Sequence, residues 1–250
     1  MLVYTDLHAF RMMSANRILL WLFTIFLRWP VPVLALTKGE VIDELVASYG
    51  GEVNLQKLDT MQQFWKMDVV SRGTEGHDHR LVSLPDHLYV ELMYPDRTEK
   101  RLLLGEKALR SYAEGPWQPA KPPQAAAMKL QRMRMYSPLT LRTKLSQVTL
   151  HQQGDHVVLS LQEDGLKVDY RVDKAAWQIE EVTGTMSMNG FEMSFRTEYL
   201  DFRRIDGVLI HHRERKFAGP VNTANLELLK IEFDPDLELL KFDPQNPASL

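Results

Sequence analysis

Two imidazoles flank a carboxylate in His77-Asp78-His79, and a second pair stands at His211-His212. Neutral imidazole and carboxylate are zinc ligands, so the first chemistry to weigh is metal-assisted hydrolysis. The spacing around these residues follows no recognised metal motif. His77 and His79 come directly after Gly76 and read as a solvated hairpin turn. His211 and His212 are neighbours on a predicted strand, where adjacent side chains point to opposite faces and do not readily share one ion. A hydrolase using His77 and His79 is therefore the third of three readings. Acyl transfer finds no Gly-x-Ser-x-Gly elbow. The absence of cysteine excludes a thiol nucleophile, a disulfide framework and a cysteine-based zinc site. Acidic residues alternate on outward strand faces and mark no glycosidase pair. No catalytic residue, cofactor or metal is assigned.

What stands out instead is apolar and adaptable. Trp65, Met67, Leu88, Val90, Val168, Tyr170, Met186, Met188, Met193 and Phe195 fall on the apolar sides of predicted strands. Met128, Met133 and Met135 belong to a predicted helix. Methionine is unbranched and polarisable, and moulds itself to varied apolar shapes. These residues either fill an ordinary core or line a cavity for acyl chains, with the helix as its lid. An apolar strand face by itself implies only packing.

The elements that must position them are mostly strands. A short helix is predicted over 40–49, ended by Gly50-Gly51. From Met61 the period becomes two, with Met61, Trp65, Met67 and Val69 against Gln62, Lys66 and Asp68. Further runs cover 81–84, 88–94, 100–105, 157–161 and 166–172, then one through Trp177 and Ile179 to Met188. The last three are 191–199, 208–217 and 225–233. Asp164-Gly165, Asn189-Gly190 and Asp206-Gly207 are tight-turn signals between runs. The pattern predicts an antiparallel meander of about ten short strands. There is no βαβ rhythm, so a doubly wound nucleotide fold is not expected. A Pro-rich loop at 115–123 and a helix predicted over 124–136 interrupt the meander. The fold class is mainly β, with covering helices.

At 250 residues the chain holds one sizeable core. The net charge of −3 gives no basic field for nucleic acid. The run Arg213–Lys216 is short, contains Glu214 and reads as a wet strand face. Near the start, Arg11 and Arg17 precede the apolar run Ile18–Leu27, and Pro30 and Pro32 follow it. Val33-Leu34-Ala35 then offers small residues for cleavage, so 1–35 reads as a signal peptide and 36–250 as one domain. An uncleaved anchor is the alternative, although Arg28 is costly inside lipid.

The order of these features resembles the outer-membrane lipoprotein-sorting (LolA/LolB-like) superfamily. The features are the leader, the helix ending Ala47-Ser48-Tyr49-Gly50-Gly51, Leu55 and Leu58, the interrupted meander, and closing strands through Phe191–Arg204 and Asp206–Phe217. The resemblance covers residues 38–235 and implies an unclosed, strongly curved antiparallel sheet, a half-barrel, with helices over its concave side. It implies a monomeric periplasmic carrier that holds lipoprotein acyl chains or lipid and meets an inner- or outer-membrane partner. With no cysteine to acylate, the chain departs from the lipidated receptor type. The second reading, from a different class, is an interaction module of an envelope complex with a filled core.

Overall fold

Thr37 starts the first helix, α1 (Lys38–Ser48), through a reciprocal cap. Its hydroxyl accepts from the Glu40 amide at 3.3 Å, and the Glu40 carboxylate accepts from the Thr37 amide at 2.8 Å. Val41, Ile42, Leu45 and Val46 form its buried face. The computed structural model describes residues 36–235 except 189, and only the backbone of Met188. Residues 1–35, read from sequence as a leader, lie outside the described residues.

A second short helix, α2 (Glu52–Leu55), follows the glycine pair. Gly50 is required by more than helix termination. Its φ is 122°, and a Cβ there would meet the Gly207 carbonyl oxygen at 2.2 Å. The end of α1 is thus seated against the Asp206-Gly207 turn.

The sheet contains β1 (Thr60–Val69), β2 (Thr74–Ser83), β3 (His87–Tyr94), β4 (Arg97–Leu104), β5 (Lys107–Tyr112) and β6 (Gln118–Pro119). Two helices intervene, α3 (Pro122–Met133) and α4 (Pro138–Thr143). The chain returns as β7 (Val148–Gln153), β8 (His156–Glu163), β9 (Leu166–Asp173) and β10 (Gln178–Met188). It closes with β11 (Phe191–Ile205), β12 (Val208–Ala218) and β13 (Val221–Phe233). The described residues form one antiparallel sheet of 13 strands, where about ten were expected. The three extra strands are β5, β6 and β7. They are short, and β6 and β7 are largely exposed, so none carries a long alternating signal.

Strand order is β6-β5-β4-β3-β2-β1-β13-β12-β11-β10-β9-β8-β7. First and last strands therefore meet in the centre, with Met61 opposite Phe233 and Met67 opposite Leu226. The free edges are β6 and β7, and the helices α3 and α4 join them in sequence. The sheet is unclosed. Bulges at Phe64/Trp65, Ile179/Glu181 and Lys216/Phe217 break the register, and such insertions bend a sheet. Asp164 and Gly165 both take positive φ, as do Asp206 and Gly207, in keeping with the predicted hairpin turns.

Three local expectations are corrected. His77 and His79 lie within β2, and the turn before them is 70–73. Trp177 does not continue a strand; it sits in the turn before β10 with φ 51°. The predicted helix over 124–136 is α3, which begins at Pro122 and stops at Met133. Among the described residues no helix is long and apolar enough to cross a membrane.

Helix α3 touches β9 and β10 on one wing of the sheet and β4 and β5 on the other. Its contacts are specific on both sides. Arg132 donates to the carbonyls of Asp86 and Gly105, at 3.2 and 3.0 Å, in the turns beside β3 and β4. Toward the other wing, Leu130 packs so closely over Gly184 that a Cβ there would stand 2.7 Å from Leu130 Cγ. The Tyr170 hydroxyl donates to the Met133 carbonyl at 2.6 Å, and the Tyr199 hydroxyl donates to the Arg134 carbonyl at 3.1 Å. The Tyr199 bond satisfies a carbonyl that the helix end leaves open, and the Tyr170 bond joins the Tyr136 amide on the Met133 carbonyl.

Candidate functional site

The strand registers put the apolar residues singled out from sequence on one face. Met61, Gln63, Trp65 and Met67 of β1 stand opposite Val82, Arg80, Asp78 and Gly76 of β2. Leu88 and Val90 continue that row on β3. In the other wing, Leu166, Val168, Tyr170 and Val172 stand opposite Met186, Gly184, Val182 and Ile179. Met186 and Gly184 are in turn opposite Met193 and Phe195. This is the face that α3 covers, and Met128 and Met133 are buried against it.

Between the wings lies a cavity of ≈ 80 Å³. Leu58, Met61, Ile179, Val182, Leu209 and Ile210 give it apolar walls. Tyr49, Tyr136, Tyr170 and Tyr199 add aromatic rings, and Met135 and Pro138 supply its helical side. Of the residues picked from sequence, Tyr170 and Met135 line this cavity. Trp65, Met67, Leu88, Val90, Val168, Met186, Met128 and Met133 are buried in the same layer outside its wall. Phe195 is half-buried, and Met193 is 36% exposed at the end of the face. Only the backbone of Met188 is described, pairing with Phe191.

The centre of the face is charged, which sequence reading did not find. Arg80 is buried and bonds two buried carboxylates. It contacts Glu214 through both terminal nitrogens, at 2.8 and 2.9 Å, and Asp78 through Nε and Nη2, at 3.1 and 2.8 Å. Lys216 stands 3.3 Å from Asp78 and 3.5 Å from Glu214. Burial alone would raise both carboxyls. The Arg80 and Lys216 charges outweigh it, so Asp78 lies below its ordinary range and Glu214 well below. Burial also opposes the Arg80 charge, and the two carboxylates reverse that, so its pKa is raised.

Trp65 serves this network as a platform. The Arg80 guanidinium lies 4.8 Å from its ring centroid, and His211 stacks on it at 5.6 Å. His211 also stacks on Tyr199 at 4.1 Å and pairs with Glu214 at 3.1 Å. Burial pushes the phenols of Tyr49, Tyr170 and Tyr199 upward, so they remain neutral hydrogen-bonding groups. Tyr49 uses its hydroxyl to accept from the Ile179 amide at 3.1 Å.

The signal that could have revealed this cluster was weak. Asp78, Arg80, Glu214 and Lys216 alternate with other polar residues along β2 and β12, so both strand faces look wet in sequence. Only the sheet shows that one face is enclosed. On the opposite face, His79 stacks on Phe64 at 4.4 Å and contacts Gln62 at 2.7 Å. His77 is exposed. Among the described residues no group of three His, Asp or Glu side chains is placed to hold a metal ion.

No protein-family model and no curated protein matches the sequence. Two solved structures are similar in fold. One is a domain named for outer-membrane lipoprotein sorting, from Vibrio parahaemolyticus, with TM-score 0.51 and 10% identity over 85% of this chain and 98% of that one. The other is a LolA superfamily protein from Nitrosomonas europaea, with TM-score 0.52 and 11% identity over 80% of this chain and 95% of that one. The strand order, the open edges and the helices between them agree with those similarities: the chain has a LolA-like fold.

Proposed function

We propose that the protein is a periplasmic carrier or binding protein for lipoprotein acyl chains or other apolar ligands. It holds them without covalent chemistry or a cofactor, acts as a monomer, and exchanges them with a partner at the inner or outer membrane. The observation that carries this reading is the cavity under the end of α3, largely apolar with a charged side, in a fold shared with a lipoprotein-sorting domain. The periplasmic placement rests on reading residues 1–35 as an export leader.

The cavity at ≈ 80 Å³ is small beside the ~300–1,000 Å³ of typical ligand sites. In this reading an acyl chain makes its own room. Helix α3 lifts, and the chain packs among Tyr170, Val168, Met186, Met128, Met133 and Met135. Trp65, Met67, Leu88 and Val90 are the corresponding surface of the other wing, and Met193 and Phe195 extend the path outward. Each buried methylene contributes about 0.8 kcal/mol, which offsets the packing that α3 gives up as it lifts.

Native mass spectrometry of gently purified protein tests the reading, together with titration of a fluorescent acyl probe. A retained lipid and saturable probe binding are expected. An empty protein that binds no probe would overturn it. The small cavity also favours a second reading, a non-enzymatic interaction module with a filled core. In that case a membrane-protein partner is captured and acyl probes do not compete with it.

A further inference from the structure

Arg134 caps the C-terminal end of α3 and lines the cavity. A cation is favoured at a helix C-terminus, which accounts for its position in the chain. The direction of its side chain needs another reason. Nη1 donates to the Thr197 hydroxyl at 3.1 Å, and Nε is buried without an acceptor. Burial works against its charge, ahead of the favourable Tyr199 and Glu214 contributions. Among the described residues no ion pair joins it to a carboxylate.

Its neighbours are provided for differently. Arg80 has two carboxylates; Arg132 shares the unpartnered Nε but gives its Nη1 to two backbone carbonyls and does not line the cavity. In the network beside the cavity, Arg80 and Lys216 balance the two carboxylates Asp78 and Glu214, so Arg134 in the cavity wall adds one positive charge. Arg134 is half-buried with its Nε enclosed, and a guanidinium so placed without a direct ion pair is costly, a cost that a bound anion offsets. The volume of ≈ 80 Å³ is well above the ~10–15 Å³ that a single water requires, and gives room for a small polar group. The rest of the lining combines the apolar and tyrosine side chains already named with Gln63, Arg80, Ser137, His211 and Glu214, the last of which is held by Arg80.

We propose that this cavity receives the anionic head group of an amphipathic ligand, a carboxylate or phosphate on an alkyl chain, with Arg134 as its counter-charge. This deepens the carrier reading and rests on it. The head enters beside Arg134, and the alkyl chain continues along the face beneath α3. Selection is then for the acid end of the ligand as well as for its hydrocarbon.

The experiment compares dodecanoate, dodecyl phosphate and dodecanol as competitors of an uncharged fluorescent acyl probe. It uses wild-type protein and the variants Arg134→Met and Arg134→Lys. Wild type is expected to bind at least one of the two anions about tenfold or more tightly than the alcohol. The preferred anion tells a fatty-acid source from a phosphate one. R134M is expected to bring that anion down to the level of the alcohol, and R134K to keep part of the preference. Equal binding of all three by wild type overturns the head-group site and leaves the carrier reading standing. Failure of all three to bind overturns both. If R134M does not fold, the wild-type ratio of anion to alcohol decides alone.

Discussion

Arg80 and Glu214 are 134 residues apart in sequence, yet they meet through two hydrogen bonds of 2.8 and 2.9 Å. Both side chains are buried, and Asp78 binds the same guanidinium from the other side. Arg80→Met leaves two buried carboxylates without the guanidinium that bonds both, with Lys216 and His211 beside them. A loss of roughly 3–5 kcal/mol is expected, read from urea unfolding. Replacing Arg80, Asp78 and Glu214 together by apolar residues of similar volume is expected to cost less than Arg80→Met alone. A triple variant less stable than R80M would show that the network contributes net stability.

The depressed carboxyls set a pH dependence. Asp78 and Glu214 bind protons less readily in the folded chain than at their ordinary values of 3.8 and 4.5. Their contribution is complete above those ordinary values and fades as pH falls through the depressed ones, because the unfolded chain takes up protons first. The melting temperature should fall as pH drops below 4.5, and Glu214→Gln should flatten that decline. An equal slope in both proteins would assign the acid sensitivity to other groups.

Gly184 is the seat of Leu130. A Cβ there would lie 2.7–3.0 Å from three Leu130 carbons, in a buried spot. Gly184→Val should destabilise by about 1–3 kcal/mol through overpacking. It should also speed hydrogen exchange across α3, while Leu130→Ala in the same chain restores part of the loss. Unchanged exchange in G184V would mean that the helix is held mainly elsewhere.

Tyr170 and Tyr199 hold two consecutive carbonyls, those of Met133 and Arg134. Each Tyr→Phe change should cost about 1 kcal/mol. In the carrier reading the double variant also takes up acyl probe faster, since the end of α3 is released. Stopped-flow mixing with the probe measures this directly, and an unchanged rate would separate these hydroxyls from ligand entry.

The hairpins were the most legible part of the chain. Leu166 through Val172 alternates with charged residues, and Asp164-Gly165 supplies the backbone signs a tight turn needs. Period-two patterning was therefore enough to put Trp65, Leu88, Val168 and Met186 on apolar strand sides. It could not measure the space beside them, which depends on how α3 crosses the wings. The first part of strand β2, before the run at 81–84, was hidden for a physical reason. Its inward residues are Gly76, Asp78, Arg80 and Val82, so a polar cluster occupied the place where apolar alternation was sought. Arg134 was just as silent, because an arginine at a helix end has the same letter whether it meets water or a cavity.

The central pairing of β1 with β13 also governs when the fold can form. Met61 waits for Phe233, so the ladder that joins the wings closes over nearly the whole described chain. Such non-local closure is slow, and each wing can assemble its hairpins beforehand. A chain delivered N-terminus first thus keeps β1 unpaired on one side until its last strand arrives. The hairpins of each wing close over short spans, and the ladder between the wings closes over the longest.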